Sequence, residues 1–302
     1  MRATGPFLDS LDRRATVVET EFGPIQVARE GEGPAVLVSH GGPGGFDQGL
    51  MYGRHLRDAG REVIAPSRPG YLGTPIASGR SPVEQADLMA AVLDELGIEQ
   101  ATILGYSSGG PAAVHLAARH PQRVRALVLD SAVTMKYESP GNVVERVFVF
   151  STVGAWWWQQ AATRWPKVAV SGFVDGLSTD LDNQQKQQAA AWITSDQSRQ
   201  RLVQDLWLSF GPWGARREGF ANDELHEPDL DPLPFSDIPC PTLISHGLND
   251  GAVPVEHARH ASEQITGAEL ILVEQGTHLS PAGRDFDAIK ERQLELTADN
   301  AN

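Results

Sequence analysis

An α/β fold is predicted: a mostly parallel sheet flanked by helices, with an inserted helical cap. Three observations carry this. Short apolar runs alternate with amphipathic stretches from about residue 15 to 133, and again from 236. The runs are apolar at nearly every position, the pattern of strands covered on both faces. Between these blocks the alternation stops, and all seven tryptophans lie there, from Trp156 to Trp213.

The elements follow in order. ATVVETE (15–21) and IQVAR (25–29) flank Phe22-Gly23-Pro24 and read as a hairpin. AVLVS (35–39) is a strand that runs into a glycine cluster. A helical stretch near 47–59 precedes a strand at EVIAP (62–66). Residues 82–96 have helical apolar spacing, with Ser81 as N-cap, Pro82 as the first helical residue and Gly97 as the stop. ATILG (101–105) is a strand, 108–119 a helix and RALVLD (125–130) a strand. After the gap come a strand at TLISHG (242–247), a helix at 254–265, a strand at AELILVEQ (268–275) and a last helix over 284–296. The expected division is a core of 1–133 and 236–302, with a helical cap over 134–235. The proline-rich segment EPDLDPLPFSDIPCP (227–241) forms the cap's exit.

Composition narrows the function. The chain has 302 residues, a formal net charge of −14 and a sequence pI near 5.0. An acidic surface repels nucleic acid and anionic membranes, so neither is expected as a partner. Cys240 is the only cysteine, which excludes an intrachain disulfide; a small packed side chain is its expected role. The first residues, MRATGPFLDSLDRR, have no apolar stretch of signal-peptide length. The run VFVFSTVGAWWW (147–158) is too short to span a bilayer. A cytoplasmic location is the expectation.

The chemistry lies in the loops after the strands. GYSSGG (105–110) joins a strand to a helix, the context of a nucleophile elbow. In the G-x-S-x-G frame the apex is Ser107. Gly105 and Gly109 leave room for the backbone to cross, and Gly110 adds slack. The Ser108 amide then points to where a carbonyl oxygen becomes negative. Taken alone the motif is weak, and a plain Gly/Ser turn joining strand to helix is its alternative. HGGPGG (40–45) follows the strand at 35–39 and offers a second inward amide, at Gly42. It fits neither G-x-G-x-x-G nor a Walker loop, so a phosphate cradle is disfavoured.

A serine hydroxyl needs a base, and the base needs a carboxylate to orient it. Of nine histidines, only His278 follows the last expected strand, in EQGTHLSP (274–281). Asp250, in SHGLNDGAVP (245–254), is the expected carboxylate, one helix and one strand before it. Asp130, at the end of the strand after the elbow helix, is its competitor. His257 and His260 lie three apart on an expected helix without other metal ligands, so a solvated helix face is expected there and no metal.

HGGPGG, SRPGYLGT (67–74), GYSSGG, HGLNDGAVP and GTHLSP, in that order, resemble the α/β-hydrolase superfamily. The resemblance spans about residues 15–133 and 236–296. It implies the α/β-hydrolase fold, with Ser107 as nucleophile, His278 as base, Asp250 as its orienter, and the Gly42 and Ser108 amides as oxyanion hole. It also implies a structural Arg68, bonded to loop backbone. No cofactor is implied. The implied activity is that of a serine esterase acting on a small-molecule carboxylic ester, the cap tryptophans Trp157, Trp158 and Trp213 forming part of the pocket wall. HGGPGG is also similar to the proline iminopeptidase branch. There an aspartate, glutamine, arginine and glycine run stands in place of SRPGY and a tryptophan in place of Ser108. Such an aminopeptidase would use cap carboxylates, among Glu218, Asp223, Glu224 and Glu227, to hold an amine. A non-catalytic small-molecule binder is the third reading. Ser107 at the apex, where dehalogenases and epoxide hydrolases of the fold have aspartate, excludes both of those.

Overall fold

The computed structural model describes residues 14–138 and 150–298. Residues 139–149 of the expected cap, with the first part of the 147–158 run, lie outside the described residues. The strands are β1 (Thr16–Thr20), β2 (Gly23–Glu30), β3 (Ala35–Ser39), β4 (Glu62–Pro66), β5 (Ala101–Tyr106), β6 (Val124–Asp130), β7 (Thr242–Gly247) and β8 (Glu269–Val273). They form one sheet of eight in the order β1-β2-β4-β3-β5-β6-β7-β8. β1 and β2 pair antiparallel, as does β2 with β4; every other neighbouring pair is parallel.

The helices alternate with the strands as the periodicity predicts. α1 (Phe46–Tyr52) and α2 (Arg54–Asp58) replace the single helix expected at 47–59. The break is Gly53, where a Cβ would stand 2.7 Å from a methyl of Val63, so the helix lies close on β4. α3 (Pro82–Glu95) begins with a reciprocal cap: Ser81 Oγ accepts from the Glu84 amide, and the Glu84 carboxylate accepts from the Ser81 amide at 2.8 Å. α4 (Gly110–Arg119) follows the elbow. α10 (Glu256–Gln264) and α11 (Phe286–Leu296) come after the insertion. α3, α4 and α10 cover one face of the sheet, burying Leu88, Val92, Val114, Leu116 and Ala261. α1, α2 and α11 cover the other, over Val36, Val38, Leu104 and Val128. Each large aliphatic side chain so buried contributes about 1.5–3 kcal/mol, so both helical layers are held firmly to the strands.

Between β6 and β7 the described residues hold α5 (Thr152–Arg164), α6 (Pro166–Gly176), α7 (Asn183–Thr194), α8 (Gln197–Leu208) and α9 (Arg217–His226), with no strand among them. Trp158 stacks on Trp207 with centroids 4.2 Å apart and planes 7° apart, tying α5 to α8. The parallel strands bring the loops after β3, β5, β6, β7 and β8 to one edge, beneath these helices. No helix among the described residues is long and apolar enough to cross a membrane.

Candidate active site

β5 ends at Tyr106 and the chain reverses at once into a short helical turn and α4. Ser107, at the apex, has φ +52°, a region that non-glycine residues rarely occupy. The packing around it enforces the turn. A Cβ on Gly109 would fall 2.1 Å from the Ser39 carbonyl oxygen, so no larger residue fits where the elbow crosses β3. Gly110 is no slack: a Cβ there would meet the Val133 carbonyl at 2.6 Å. The loop after β6 therefore packs on the elbow, and the Val133 amide donates to the Ser107 carbonyl at 3.0 Å.

Ser107, Asp250 and His278 meet at the sheet edge. His278 Nδ1 lies 2.8 and 3.0 Å from the two Asp250 oxygens, and its Nε2 lies 3.1 Å from Ser107 Oγ. A carboxylate only accepts, so Nδ1 carries the hydrogen and Nε2 is left to accept from the hydroxyl. All three side chains are buried. Asp250 Oδ1 also accepts from the Ala252 and Val253 amides, at 2.8 and 2.9 Å. Burial alone would raise its pKa. The His278 charge and bonds from His246 and His278 outweigh burial and hold the carboxyl well below the usual carboxylate range. His246 is a partner the sequence did not single out: its Nε2 lies 3.3 Å from Asp250 and 2.8 Å from the Val253 carbonyl.

Asp130, the competing carboxylate, is committed elsewhere. Its oxygens accept from Tyr52 Oη, at 3.0 Å, and from Ser280 Oγ. It is fully buried, which raises its pKa. Its network fixes Tyr52, which stacks on Tyr106 at 4.1 Å, and Tyr106 in turn lies 5.1 Å from the His278 ring.

The glycine loop after β3 is anchored from below. Gln48 Oε1 accepts the Gly41 amide at 2.8 Å, and its Nε2 donates to the Pro43 carbonyl at 3.1 Å. The His40 ring donates from Nδ1 to the Gly41 carbonyl, at 2.7 Å, and accepts the Arg68 amide at Nε2, at 2.9 Å. With the Gly41 amide so engaged, the next one, Gly42, belongs to a residue that lines the cavity above Ser107. Ser108, in the first turn after the apex, lines it too, and first-turn amides lack an intrahelical partner.

The cavity has a volume of about 470 Å³ and a mainly apolar wall. Trp158, Trp207, Phe150, Phe210, Phe220 and Leu206 line it from the insertion. Of the tryptophans expected there, only Trp158 is among the lining residues. Trp157 is turned outward, 38 % exposed, because it follows a different side of α5. Trp213 packs behind the wall, against Phe150 and Phe220. Trp207, another of the seven tryptophans of the insertion, takes the missing place.

Arg68 does bond loop backbone, through Nε to the His40 carbonyl at 2.8 Å. It also forms a two-pronged pair with Asp223 of α9, at 2.8 and 2.7 Å. Arg216, fully buried, grips Asp47 and the Gly44 carbonyl in the same way. Of the four acidic residues considered in the insertion, Asp223, Glu224 and Glu227 line the cavity and Glu218 does not. His257 departs from the expected solvated face. It is buried, its Nδ1 accepts the Thr134 amide at 3.0 Å, and its carbonyl accepts Thr134 Oγ1 at 2.6 Å. Among the described residues no cluster of three potential metal ligands occurs. Cys240 is partly buried against the core, and burial pushes its thiol up to about 11.

Comparison with known proteins gives the same fold. A family profile described as alpha/beta hydrolase fold matches residues 34–282. The chain is 28 % identical over 288 residues to the uncharacterized hydrolase YcgS of Bacillus subtilis, covering 91 % of this chain and 95 % of that one. It is 34 % identical over 256 residues to the 2-hydroxy-6-oxononadienedioate/2-hydroxy-6-oxononatrienedioate hydrolase of Comamonas testosteroni, covering 82 % of each. An alpha/beta hydrolase fold protein from Nakamurella multipartita superimposes with a TM-score of 0.90 at 37 % identity, over 94 % of this chain and 98 % of that one. The parallel sheet, the elbow after β5 and these relatives agree: the chain belongs to the α/β-hydrolase family and is a hydrolase of that fold.

Proposed function

We propose that the protein is a serine hydrolase that cleaves a small carboxylic ester, the inserted helices serving as its cap. The observation that carries this reading is the chain of hydrogen-bond distances Ser107–His278–Asp250 opening into an apolar cavity. His278 removes the Ser107 proton as the hydroxyl attacks the ester carbonyl. The oxyanion lies against the Gly42 and Ser108 amides. His278, held by Asp250, then gives its proton to the leaving alcohol. In the second half it takes a proton from water, which attacks the acyl-enzyme, and returns that proton to Ser107 Oγ as the acid is released. The strained backbone at Ser107 keeps the hydroxyl at the apex without further rearrangement.

The wall supports an ester over a dicarboxylate of the kind its Comamonas testosteroni relative is named for, since none of the described lining residues is a lysine or arginine. The acidic residues Asp223, Glu224 and Glu227 in the wall favour a second reading, an aminopeptidase of the proline iminopeptidase kind. Turnover of p-nitrophenyl acyl esters beside prolyl and alanyl anilides tests both. Ester turnover that disappears with Ser107→Ala supports the first, and anilide turnover at a comparable kcat/KM supports the second. Neither activity, with no fluorophosphonate labelling of Ser107, would overturn both.

A further inference from the structure

Four carboxylates line the cavity, Asp175, Asp223, Glu224 and Glu227, and among the described lining residues His278 is the one basic side chain. Asp175 is met by Lys186 at 3.3 Å, and Asp223 by Arg68, neither cation itself lining the cavity. Glu227 differs. It follows α9, is only 6 % exposed, and its Oε1 is buried without a hydrogen-bond partner. A buried acceptor left unmatched carries an uncompensated desolvation cost. Glu227 lines the cavity, so a ligand donor that reaches its carboxyl would give that oxygen a partner.

Its place in the wall gives it a reach over the chemistry. The Ser108 hydroxyl stabilises the charge of the Glu227 carboxyl, and both residues line the cavity with Ser107. Tyr137, another lining residue, has its amide bonded to the Glu227 carbonyl at 2.9 Å, which fixes the backbone there.

We propose that the cavity selects an acyl ester that presents a hydrogen-bond donor, and no carboxylate, to Glu227. The inference rests on the serine-hydrolase reading above. A substrate hydroxyl, amide or ammonium gives Oε1 its missing partner. A substrate carboxylate there meets the Glu227 carboxylate in a mainly apolar cavity, where like charges repel more than in water. Burial, and then the neighbouring Asp223, push the Glu227 carboxyl up to about 7, so near neutral pH ionised Glu227 accepts a donor and its protonated form still offers a carbonyl oxygen.

The test is a matched set of p-nitrophenyl esters: hexanoate, its ω-hydroxy and ω-ammonio derivatives, and the half-ester of adipic acid, with a shorter-chain set beside it. For the full chain, kcat/KM for the adipate half-ester should lie about 100-fold below hexanoate, and the donor-bearing esters should lie above hexanoate by about tenfold. Glu227→Gln should shrink the carboxylate penalty by about tenfold and move the ranking of the donors. An adipate half-ester turned over as fast as hexanoate by the unaltered protein overturns the proposal without recourse to any variant, as does a ranking that Glu227→Gln leaves unmoved while Ser107 still takes the fluorophosphonate. Loss of all ester turnover in the unaltered protein, with no labelling, refutes instead the serine-hydrolase reading beneath it.

Discussion

Arg68 and Asp223 meet through two parallel hydrogen bonds, at 2.8 and 2.7 Å, across 155 residues of sequence and with almost no access to water. Tyr71 adds a third bond to the same carboxylate, at 2.5 Å. The pair joins the loop after β4 to α9, so it fastens the inserted helices to the core beside the cavity. Removing one partner leaves a buried charge. Asp223→Leu should therefore lower unfolding stability by about 3–5 kcal/mol, whereas Arg68→Met with Asp223→Leu should recover much of that loss. Urea unfolding of the two singles and the double measures this. A double variant as unstable as the sum of the singles would show that the two side chains act separately.

Ser107→Ala should reduce kcat for p-nitrophenyl esters by about a millionfold, the scale seen when a triad serine is removed, with the unfolding transition little changed. Retained turnover would identify another nucleophile.

Asp250→Asn should lower kcat by about 10⁴-fold, because Asn cannot hold His278 in the tautomer that leaves Nε2 free. Asp130→Asn should act differently: it disturbs the bonds to Tyr52 and Ser280, so its effect should fall on stability, with kcat changed less than tenfold. Steady-state rates of the two variants side by side decide between the two carboxylates.

These contrasts also mark what could be read from the chain. β3, β5, β6 and β7 were legible because each is a compact apolar run followed by glycine, serine or aspartate at the sheet edge. Ser107, Asp250 and His278 were legible because the order of elements leaves few residues at that edge. The Arg68–Asp223 and Arg216–Asp47 pairs were not. Their partners lie 155 and 169 residues apart, and acidic residues are too many in this chain for any one to stand out. Trp157 and Trp158 are neighbours, so which ring faces the cavity depends on how α5 is rotated, and that is set by packing against Trp207. His257 was misjudged for a similar reason: its partner, the Thr134 amide, is brought to α10 only by the fold.

His257 gives the protein an acid sensitivity. Burial first, and the nearby His246 charge second, lower its pKa to about 4 from an ordinary 6.5. Between those values the unfolded chain binds a proton that the folded one does not, so stability rises with pH across that window and falls as pH drops through it. The neutral ring is also the one whose Nδ1 accepts the Thr134 amide. Thermal unfolding from about pH 7 to about pH 4 should show a loss of no more than about 3 kcal/mol from this residue. His257→Gln, which cannot take up the proton, should be less stable near neutrality but show a shallower slope; an unchanged slope would remove His257 from the account.

Gly172 sets how far the Trp158 ring enters the cavity. A Cβ on Gly172 would lie 2.2 Å from that ring, an impossible contact, and both residues line the wall. Gly172→Ala must therefore push the indole away from α6. The stack on Trp207 resists movement, and Trp207 is itself pinned by a bond from its Nε1 to the Ala169 carbonyl at 2.9 Å. The displaced ring should take volume from the cavity. The alanine variant should lose about tenfold or more in kcat/KM for hexanoate and octanoate esters, with acetate affected much less. Trp158→Ala should have the opposite preference, gaining on long chains relative to short ones as the cavity widens. In the double variant the clash has no partner, so the long-chain loss caused by Gly172→Ala should disappear. A loss that falls equally on all chain lengths, or that persists in the double variant, would mean that Gly172 acts on the helix rather than on the cavity.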